Sequence, residues 1–220
     1  MAQVSTNDKF TFSDDSRSSG PSLTTTRRMV GGAANSGVAG YFAGGAYPNV
    51  TTVNKFAFPS GGMGTLGTGL SSTREALTGA ANSGTAAYFA GGYPGVTTVD
   101  KFAFSDDSRT TLGTGLALAR GYKAGAANNG VAAYFGGGTS TATNTVDKFA
   151  FSDDSRTTLG AVLSGARYNF AGCAHSGTAA YFAGGDPLTA TVDKIAFAAD
   201  TISSLGTGLS STRKSMGGAA

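Results

Sequence analysis

An internal repeat is the strongest constraint on the fold of this chain. The motif DKFTF at Asp8 returns as NKFAF at Asn54, DKFAF at Asp100 and Asp147, and DKIAF at Asp193, at intervals of 46, 46, 47 and 46 residues. Self-similarity at a period of about 20–50 residues is typical of solenoids, propellers and other repeat arrays. The chain therefore copies one supersecondary unit. An arginine recurs with almost the same period, at Arg27, Arg74, Arg120, Arg167 and Arg213.

Within each unit the residue pattern predicts strands and no helix. In VDKFAF, Asp100, Phe102 and Phe104 alternate with Val99, Lys101 and Ala103, as in a half-buried strand. Asn82-Ser83-Gly84 separates two short apolar runs as a hairpin turn does. We therefore predict four strands per unit, named a (GAA), b (TAAYFAGG), c (VDKFAF) and d (TLGTGL).

Four short strands in about 40–50 residues are typical of one blade of a β-propeller. The small residues of strand a suit the crowded axis of a propeller, and the Phe and Tyr residues of b and c suit its wider periphery. A β-helix is the alternative, although it favours shorter and more uniform repeats. We predict a single all-β domain over residues 1–220, built from four-stranded antiparallel blades at about 29–73, 75–119, 121–166 and 168–212.

The ends of the chain predict a fifth, closing blade. Strands c and d occur five times, whereas the YFAGG motif of strand b occurs four times. Residues 6–26 supply c and d, and residues 214–220 supply a, so a five-bladed ring would close where the two termini meet. In the alternative interpretation, a strand from another subunit or from a longer chain fills the remaining position, because an unpaired strand edge accepts a further strand.

The repeat resembles the kelch motif. The resemblance rests on a double glycine after strand b, an arginine between d and a, and an aromatic strand c, and it covers nearly the whole chain. Kelch repeats usually carry a Trp on the last strand, where this chain has Leu112, Leu159 or Leu205. The Gly/Thr/Ala-rich style is also similar to kelch-type propellers of bacteriophage virion proteins. The double glycines are Gly44-Gly45, Gly91-Gly92, Gly137-Gly138 and Gly184-Gly185.

Composition argues against several classes of partner. The formal net charge is +3 and only 13% of residues are charged, so no basic footprint for nucleic acid is present. No apolar run approaches the roughly 20 residues that span a bilayer, and the N-terminal sequence does not resemble a signal peptide. We expect neither nucleic acid nor membrane as a partner.

The sequence does not predict an enzyme. Galactose oxidase, a copper enzyme among kelch propellers, needs two histidines and a Cys–Tyr crosslink, whereas this chain has only His175 and Cys173. We interpret His175 as a turn residue and Cys173 as a small buried residue, and we expect no catalytic residue, metal or cofactor. The acidic pairs of the SDDSR segments predict capped turns, with a calcium loop as the alternative. These pairs are Asp14-Asp15, Asp106-Asp107 and Asp153-Asp154.

Two recurring cations have competing interpretations. The arginines Arg27, Arg74, Arg120, Arg167 and Arg213 either hold acids or carbonyls of the neighbouring blade or present a ring of positive charge, and we favour the structural role. The lysine of DKFAF is expected on the surface beside its own aspartate, as a solvated pair of little energetic weight.

Differences between repeats predict where a ligand binds. The a–b and c–d turns are nearly uniform, whereas the b–c loops and the d–a segments vary, and variation on one face of a repeated scaffold is typical of a binding surface. Tyrosine, asparagine and a few charges suit carbohydrate or protein recognition. The candidate ligand-binding residues are Tyr47, Tyr93, Tyr122, Tyr168, Arg28, Glu75, Lys123, Asn169 and Asp186.

We therefore expect a non-enzymatic propeller that acts as a virion component, in a tail fibre, an attachment protein or a capsid surface. Its partners would be other virion proteins or a host-surface glycan, with homo-oligomers through the closing blade as a further expectation. The alternatives are a free lectin-like propeller, released from the cell, and an intracellular kelch-type adaptor in the cytoplasm.

Overall fold

The computed structural model describes residues 5–11, 13–139 and 142–218. These residues form eighteen strands and no helix, and therefore none of them forms a helix that is long and apolar enough to cross a membrane. A two-stranded hairpin precedes four antiparallel sheets of four strands each. The predictions of an all-β chain and of four-stranded repeats are confirmed. Residues 219–220 of the predicted closing strand and residues 140–141 of the third b–c loop lie outside the described residues.

Each sheet contains the four strands of one repeat, in the order a, b, c, d. The N-terminal hairpin consists of β1 (Asn7–Thr11) and β2 (Ser16–Gly20). Sheet 1 consists of β3 (Gly31–Asn35), β4 (Ala39–Ala43), β5 (Val53–Ala57) and β6 (Met63–Thr65). Sheet 2 consists of β7 (Thr78–Asn82), β8 (Ala86–Ala90), β9 (Val99–Ala103) and β10 (Arg109–Thr111). Sheet 3 consists of β11 (Ala124–Asn128), β12 (Ala132–Gly136), β13 (Val146–Ala150) and β14 (Arg156–Thr158). Sheet 4 consists of β15 (Ala171–His175), β16 (Ala179–Ala183), β17 (Val192–Ala196) and β18 (Thr201–Ser204).

The position predicted for strand d is wrong. In sheet 2 the strand covers Arg109–Thr111, and the segment that follows turns away from strand c. The Leu116 N–H donates to the Thr97 carbonyl at 2.7 Å, which folds this segment against the b–c loop of its own sheet. A side chain at Gly115 would collide with the same carbonyl, so the glycine permits this close approach. The apolar residues of LGTGL therefore pack in a loop and do not extend strand d.

Glycine and alanine fill the a strands because these strands pack against one another in sequence order, β3 on β7, β7 on β11 and β11 on β15. A Cβ atom at Gly79 would collide with the carbonyl oxygen of Gly32 in the preceding sheet. The large side chains lie on b and c, where Phe89 and Phe102 of sheet 2 are fully buried against sheet 1. Their ring centroids are 5.9 Å apart in an edge-to-face arrangement.

The recurring arginine has the structural role in four of its five copies. Arg74 is fully buried, its Nη2 lies 2.8 Å from Asp100 Oδ2, and it donates to the Phe89 carbonyl at 3.2 Å. Arg27 makes the same contact with the amide oxygen of Asn54, at 2.6 Å. The remaining buried pairs are Arg120–Asp147 at 3.0 Å and Arg167–Asp193 at 2.8 Å.

The sequence predicted that the lysine of DKFAF pairs with the aspartate beside it. This prediction is wrong. Adjacent residues of a strand point to opposite faces, so Asp100 meets Arg74 while Lys101 faces the following sheet. There Lys101 Nζ lies 2.7 Å from Asp154 Oδ2, and the Tyr88 hydroxyl donates to Asp154 Oδ1 at 2.7 Å. We call this arrangement the Tyr–Lys–Asp clamp. The other two clamps are Tyr41–Lys55–Asp107 and Tyr134–Lys148–Asp200.

The a–b turns also connect successive sheets. Asn35 Oδ1 accepts a hydrogen bond from the Gly84 N–H of the next sheet at 2.8 Å. Asn82 accepts from Gly130 at 2.9 Å, and Asn128 accepts from Gly177 at 2.8 Å. The uniformity of these turns in the sequence therefore has a structural cause, since each asparagine holds the backbone of its neighbour.

Candidate functional site

The b–c loops and the d–a segments lie together, joined within each sheet by an isolated antiparallel bridge. We call the surface that they form the loop face. The bridged pairs are Arg28–Ala46, Glu75–Tyr93, Gly121–Thr139, Tyr168–Asp186 and Thr189–Arg213. The segments that vary most between repeats therefore share one surface.

A ladder of backbone hydrogen bonds runs through the d–a segments. Tyr122 N–H donates to the Ala76 carbonyl at 2.9 Å, and Asn169 N–H donates to the Tyr122 carbonyl at 2.8 Å. The same bond joins Ala76 to Met29 at 2.9 Å and Ser215 to Asn169 at 2.7 Å. All five residues have φ angles between 51° and 58°, a strained region for residues other than glycine. This constrained backbone places Tyr122 and Asn169 on the loop face.

Tyr122 brings together side chains from separate repeats. Its hydroxyl lies 3.6 Å from the Met29 sulfur, and its ring centroid lies 6.5 Å from that of Tyr168. Burial, followed by the negative charge of Glu75, raises the pKa of Tyr122, so its hydroxyl stays protonated at neutral pH. Sequence reasoning missed Met29, although it occupies the same repeat position as Tyr122 and Asn169.

Two further tyrosines of the loop face are open to solvent. Tyr47 and Tyr93 are 57% and 55% exposed, and the Arg28 guanidinium lies 4.3 Å from the ring centroid of Tyr47. Among the described residues, Glu75 Oε2 and Arg28 Nε are buried and have no hydrogen-bond partner. An unpaired buried polar group costs free energy. Both side chains are partly exposed, so a ligand hydroxyl can bond to their accessible polar atoms.

Two predicted site residues have other surroundings. Lys123 is buried, so its predicted position on the exposed face is wrong. It occupies the repeat position of Leu77 and Phe170, and its Nζ donates a hydrogen bond to the Ala90 carbonyl. Burial lowers the pKa of Lys123 well below its ordinary value. Asp186 forms an ion pair with Lys214 at the edge of the loop face.

The groups considered for chemistry lie elsewhere. His175 is exposed at an a–b turn, with Nδ1 2.9 Å from Thr178 Oγ1, and Cys173 is half-buried in β15. Of the acidic pairs, Asp106 caps its turn by accepting the Ser108 N–H, whereas Asp107 belongs to a clamp. Within residues 5–11, 13–139 and 142–218, no three His, Cys, Asp or Glu side chains lie close enough together to hold a metal ion.

Comparison with models of known protein families gave no match, and no curated protein is significantly similar in sequence.

Proposed function

We propose that this chain is a five-bladed β-propeller of the kelch-like type, with sheets 1–4 as complete blades. The four antiparallel four-stranded sheets support this proposal, as does the succession of packed a strands. The five residues of the hydrogen-bond ladder, one per d–a segment, match the number of blades. The N-terminal hairpin and the segment after Arg213 would then form the fifth blade.

Within this proposal the protein is a non-enzymatic virion component of a bacteriophage that recognises a glycan or a protein through its loop face. The observation that carries it is the grouping of Tyr122 with the charges of Glu75 and Arg28, where Arg28 lies over the Tyr47 ring and Glu75 is bridged to Tyr93. Aromatic rings stack on the apolar faces of sugars, and charged side chains bind sugar hydroxyls, so a host-surface glycan is the ligand that this chemistry suits best.

A glycan array followed by calorimetric titration tests the binding proposal. Tyr93→Ala and Tyr122→Ala should each weaken binding of the best glycan at least tenfold. Val131→Ala, which alters an exposed residue at an a–b turn, should leave binding unchanged. Wild-type binding that survives both tyrosine substitutions would exclude the loop face as the binding surface.

Stoichiometry separates this site from a repeat lectin. Tyr47 and Tyr93 come from b–c loops whereas Tyr122 and Tyr168 come from d–a segments, so the repeats do not offer equivalent sites. One glycan per chain is therefore expected, and four or five per chain would favour the lectin. Mass spectrometry of purified virus particles tests the virion role, which absence of the chain from such particles would contradict.

A further inference from the structure

We propose that the N-terminal hairpin of this chain docks on sheet 4, with Asp15 bound by Tyr181 and Lys194 and with Asp8 bound by Arg213. This contact rests on the proposed five-bladed ring, and it names the side chains that join the two ends of the repeat array. In the structure none of these side chains makes the contact, and each has an equivalent that does.

Comparison with the three observed clamps shows that Tyr181 and Lys194 of sheet 4 lack an aspartate partner. Tyr181 and Lys194 occupy the positions of Tyr134 and Lys148, and among the described residues they have neither a hydrogen bond nor an ion pair. The acids of the observed clamps, Asp107, Asp154 and Asp200, have φ angles of 57°, 58° and 52°. Asp15 occupies the same position in the hairpin, has a φ angle of 53°, and has no partner among the described residues.

The positions of the acids match the positions of the Tyr–Lys pairs throughout the chain. Four repeats carry a Tyr–Lys pair on strands b and c, and the described residues contain four acids at the clamp position, of which three are already bound. Sheet 1 has Gly61, with a φ angle of 68°, at the clamp position. The hairpin before sheet 1 contains no strand with a tyrosine, so sheet 1 needs no acid there. Of the four acids in the described residues, Asp15 is therefore the one that remains for Tyr181 and Lys194.

The buried arginine pairs show the same mismatch at the two ends. Arg213 repeats Arg167, yet its side chain is exposed, and among the described residues its guanidinium bonds only to Ser210 and Ser211. Asp8 repeats Asp193, yet it forms an ion pair with Arg17 in which the two side chains are 47% and 58% exposed. The equivalent pair Arg167–Asp193 is buried.

Apolar burial favours the same contact. Phe10 of the hairpin is 61% exposed, whereas its equivalents Phe102 and Phe149 are fully buried against the preceding sheet. Docking would remove the apolar surface of Phe10 from water, which favours the docked state. Sheet 4 is the preceding sheet for the hairpin if the array closes on itself.

The occupant of sheet 4 is the hairpin of the same chain, because the array curves tightly. Met29 of the first d–a segment and Tyr122 of the third touch, although Ala76 lies between them in the ladder. In the part of the chain that the structure describes, the Met29 N–H and the Ser215 carbonyl are the two open ends of that ladder. A closed ring would join them, and the effective concentration of a tethered hairpin exceeds that of a second copy in dilute solution.

Crosslinking of paired cysteines tests the contact in the full chain with Cys173→Ser. The test variant carries Asp15→Cys and Lys194→Cys, and the matched control carries Asp200→Cys and Lys148→Cys, the equivalent positions of an observed clamp. With a short bis-maleimide, both variants should give an intramolecular crosslink at monomer mass. A crosslink in the control alone would overturn the proposal, and 15–194 crosslinks found only between chains would show that a second copy occupies sheet 4.

A second measurement does not depend on the reach of the crosslinker. Asp15→Asn and Lys194→Met should each lower the Tm, and the double variant should lower it no more than one of them, as expected of partners. The control cycle with Asp200→Asn and Lys148→Met should behave in the same way. Additive or absent effects at 15 and 194, beside non-additive effects in the control, would exclude the contact.

Discussion

One arginine and one aspartate, 26 residues apart in the sequence, show how single side chains hold this repeat together. Arg74 and Asp100 are both fully buried, and removing two charges from water costs several kcal/mol per ion. Further hydrogen bonds offset this cost, since Asp100 also accepts from Ser71 and Thr111 at 3.0 and 2.7 Å. The Asp100 carboxylate therefore both neutralises the Arg74 charge and accepts these hydrogen bonds.

We predict that Asp100→Ala lowers the free energy of unfolding by about 3–5 kcal/mol, because it leaves the Arg74 charge buried and unpaired. Asp100→Asn should cost clearly less, since Arg27 already bonds to an amide oxygen at Asn54 in sheet 1. Urea unfolding followed by circular dichroism measures both changes. Equal losses in the two variants would show that hydrogen-bond geometry contributes nothing beyond charge.

Lys123 is a second residue whose burial leads to a prediction. Lys123→Met should raise the free energy of unfolding by about 1–3 kcal/mol at pH 7, because the Ala90 carbonyl is the one hydrogen-bond partner of the buried amino group within the described residues. Burial lowers its pKa in the folded state, so the unfolded chain binds more protons than the folded chain at pH values between the two pKa values. Across that interval this lysine makes wild-type stability rise with pH.

The difference between Lys123→Met and wild type should therefore shrink as the pH approaches about 10.4, the ordinary lysine pKa. Comparing the two proteins at each pH cancels the titration of the buried tyrosines. Leu77→Met at the same repeat position is the control, and its effect should not change with pH. A pH-independent gain from Lys123→Met would mean that the lysine is charged in both states.

At the level of elements, the strand period of two decides which side chains join neighbouring sheets. Asp100 and Lys101 are adjacent in sequence. Asp100 is buried and pairs with Arg74, whereas Lys101 pairs with Asp154 of the following sheet. Burial, and then the hydrogen bond to Asp154, raise the pKa of Tyr88, which keeps its hydroxyl a donor in the clamp. The alternation was visible in the sequence, but the partner on the next sheet was not.

The a–b turns give a prediction at the same scale. Asn128→Ala should cost about 1–2 kcal/mol, because the Gly177 N–H in the next sheet loses its acceptor. His175→Ala is the matched control at the same repeat position. In the part of the chain that the structure describes, its ring bonds only to Thr178 of its own turn, so this substitution should cost less than about 0.5 kcal/mol. Thermal unfolding of both variants tests this, and a larger loss from His175→Ala would contradict the role of the turns.

For the whole molecule, the loop face is composite: Arg28, Glu75 and Tyr122 precede three different sheets and meet only when those sheets pack side by side. The ladder from Met29 to Ser215 fixes their spacing, because each d–a segment donates to the one before it. Binding at this face therefore depends on the assembled array.

We predict that Glu75→Gln separates binding from stability. Glu75 Oε2 is buried and has no hydrogen-bond partner among the described residues, so the substitution should not lower the free energy of unfolding by more than about 0.5 kcal/mol. The glycan that raises the Tm of wild type should raise that of Glu75→Gln much less. An equal rise in both proteins would remove Glu75 from the binding site.

The repeat, its all-β character, the small residues of strand a and the aromatic residues of b and c could be predicted from the sequence, because strand periodicity and turn chemistry are local. Strand d was misplaced, since Leu112 and Leu116 look equally apolar in a strand or in a packed loop. Lys123 was assigned to the surface because a charge in a variable segment has no local signal of burial.

The partners of the repeated side chains could not be predicted in this way, because they depend on the tertiary structure. The Arg74–Asp100 pair, the clamps and the meeting of Tyr122 with Met29 join residues that are from 26 to 93 positions apart. Such contacts depend on how one sheet packs on the next. That geometry also shows that Asp15 and Lys194, although alike in sequence to their equivalents, have no partner among the described residues.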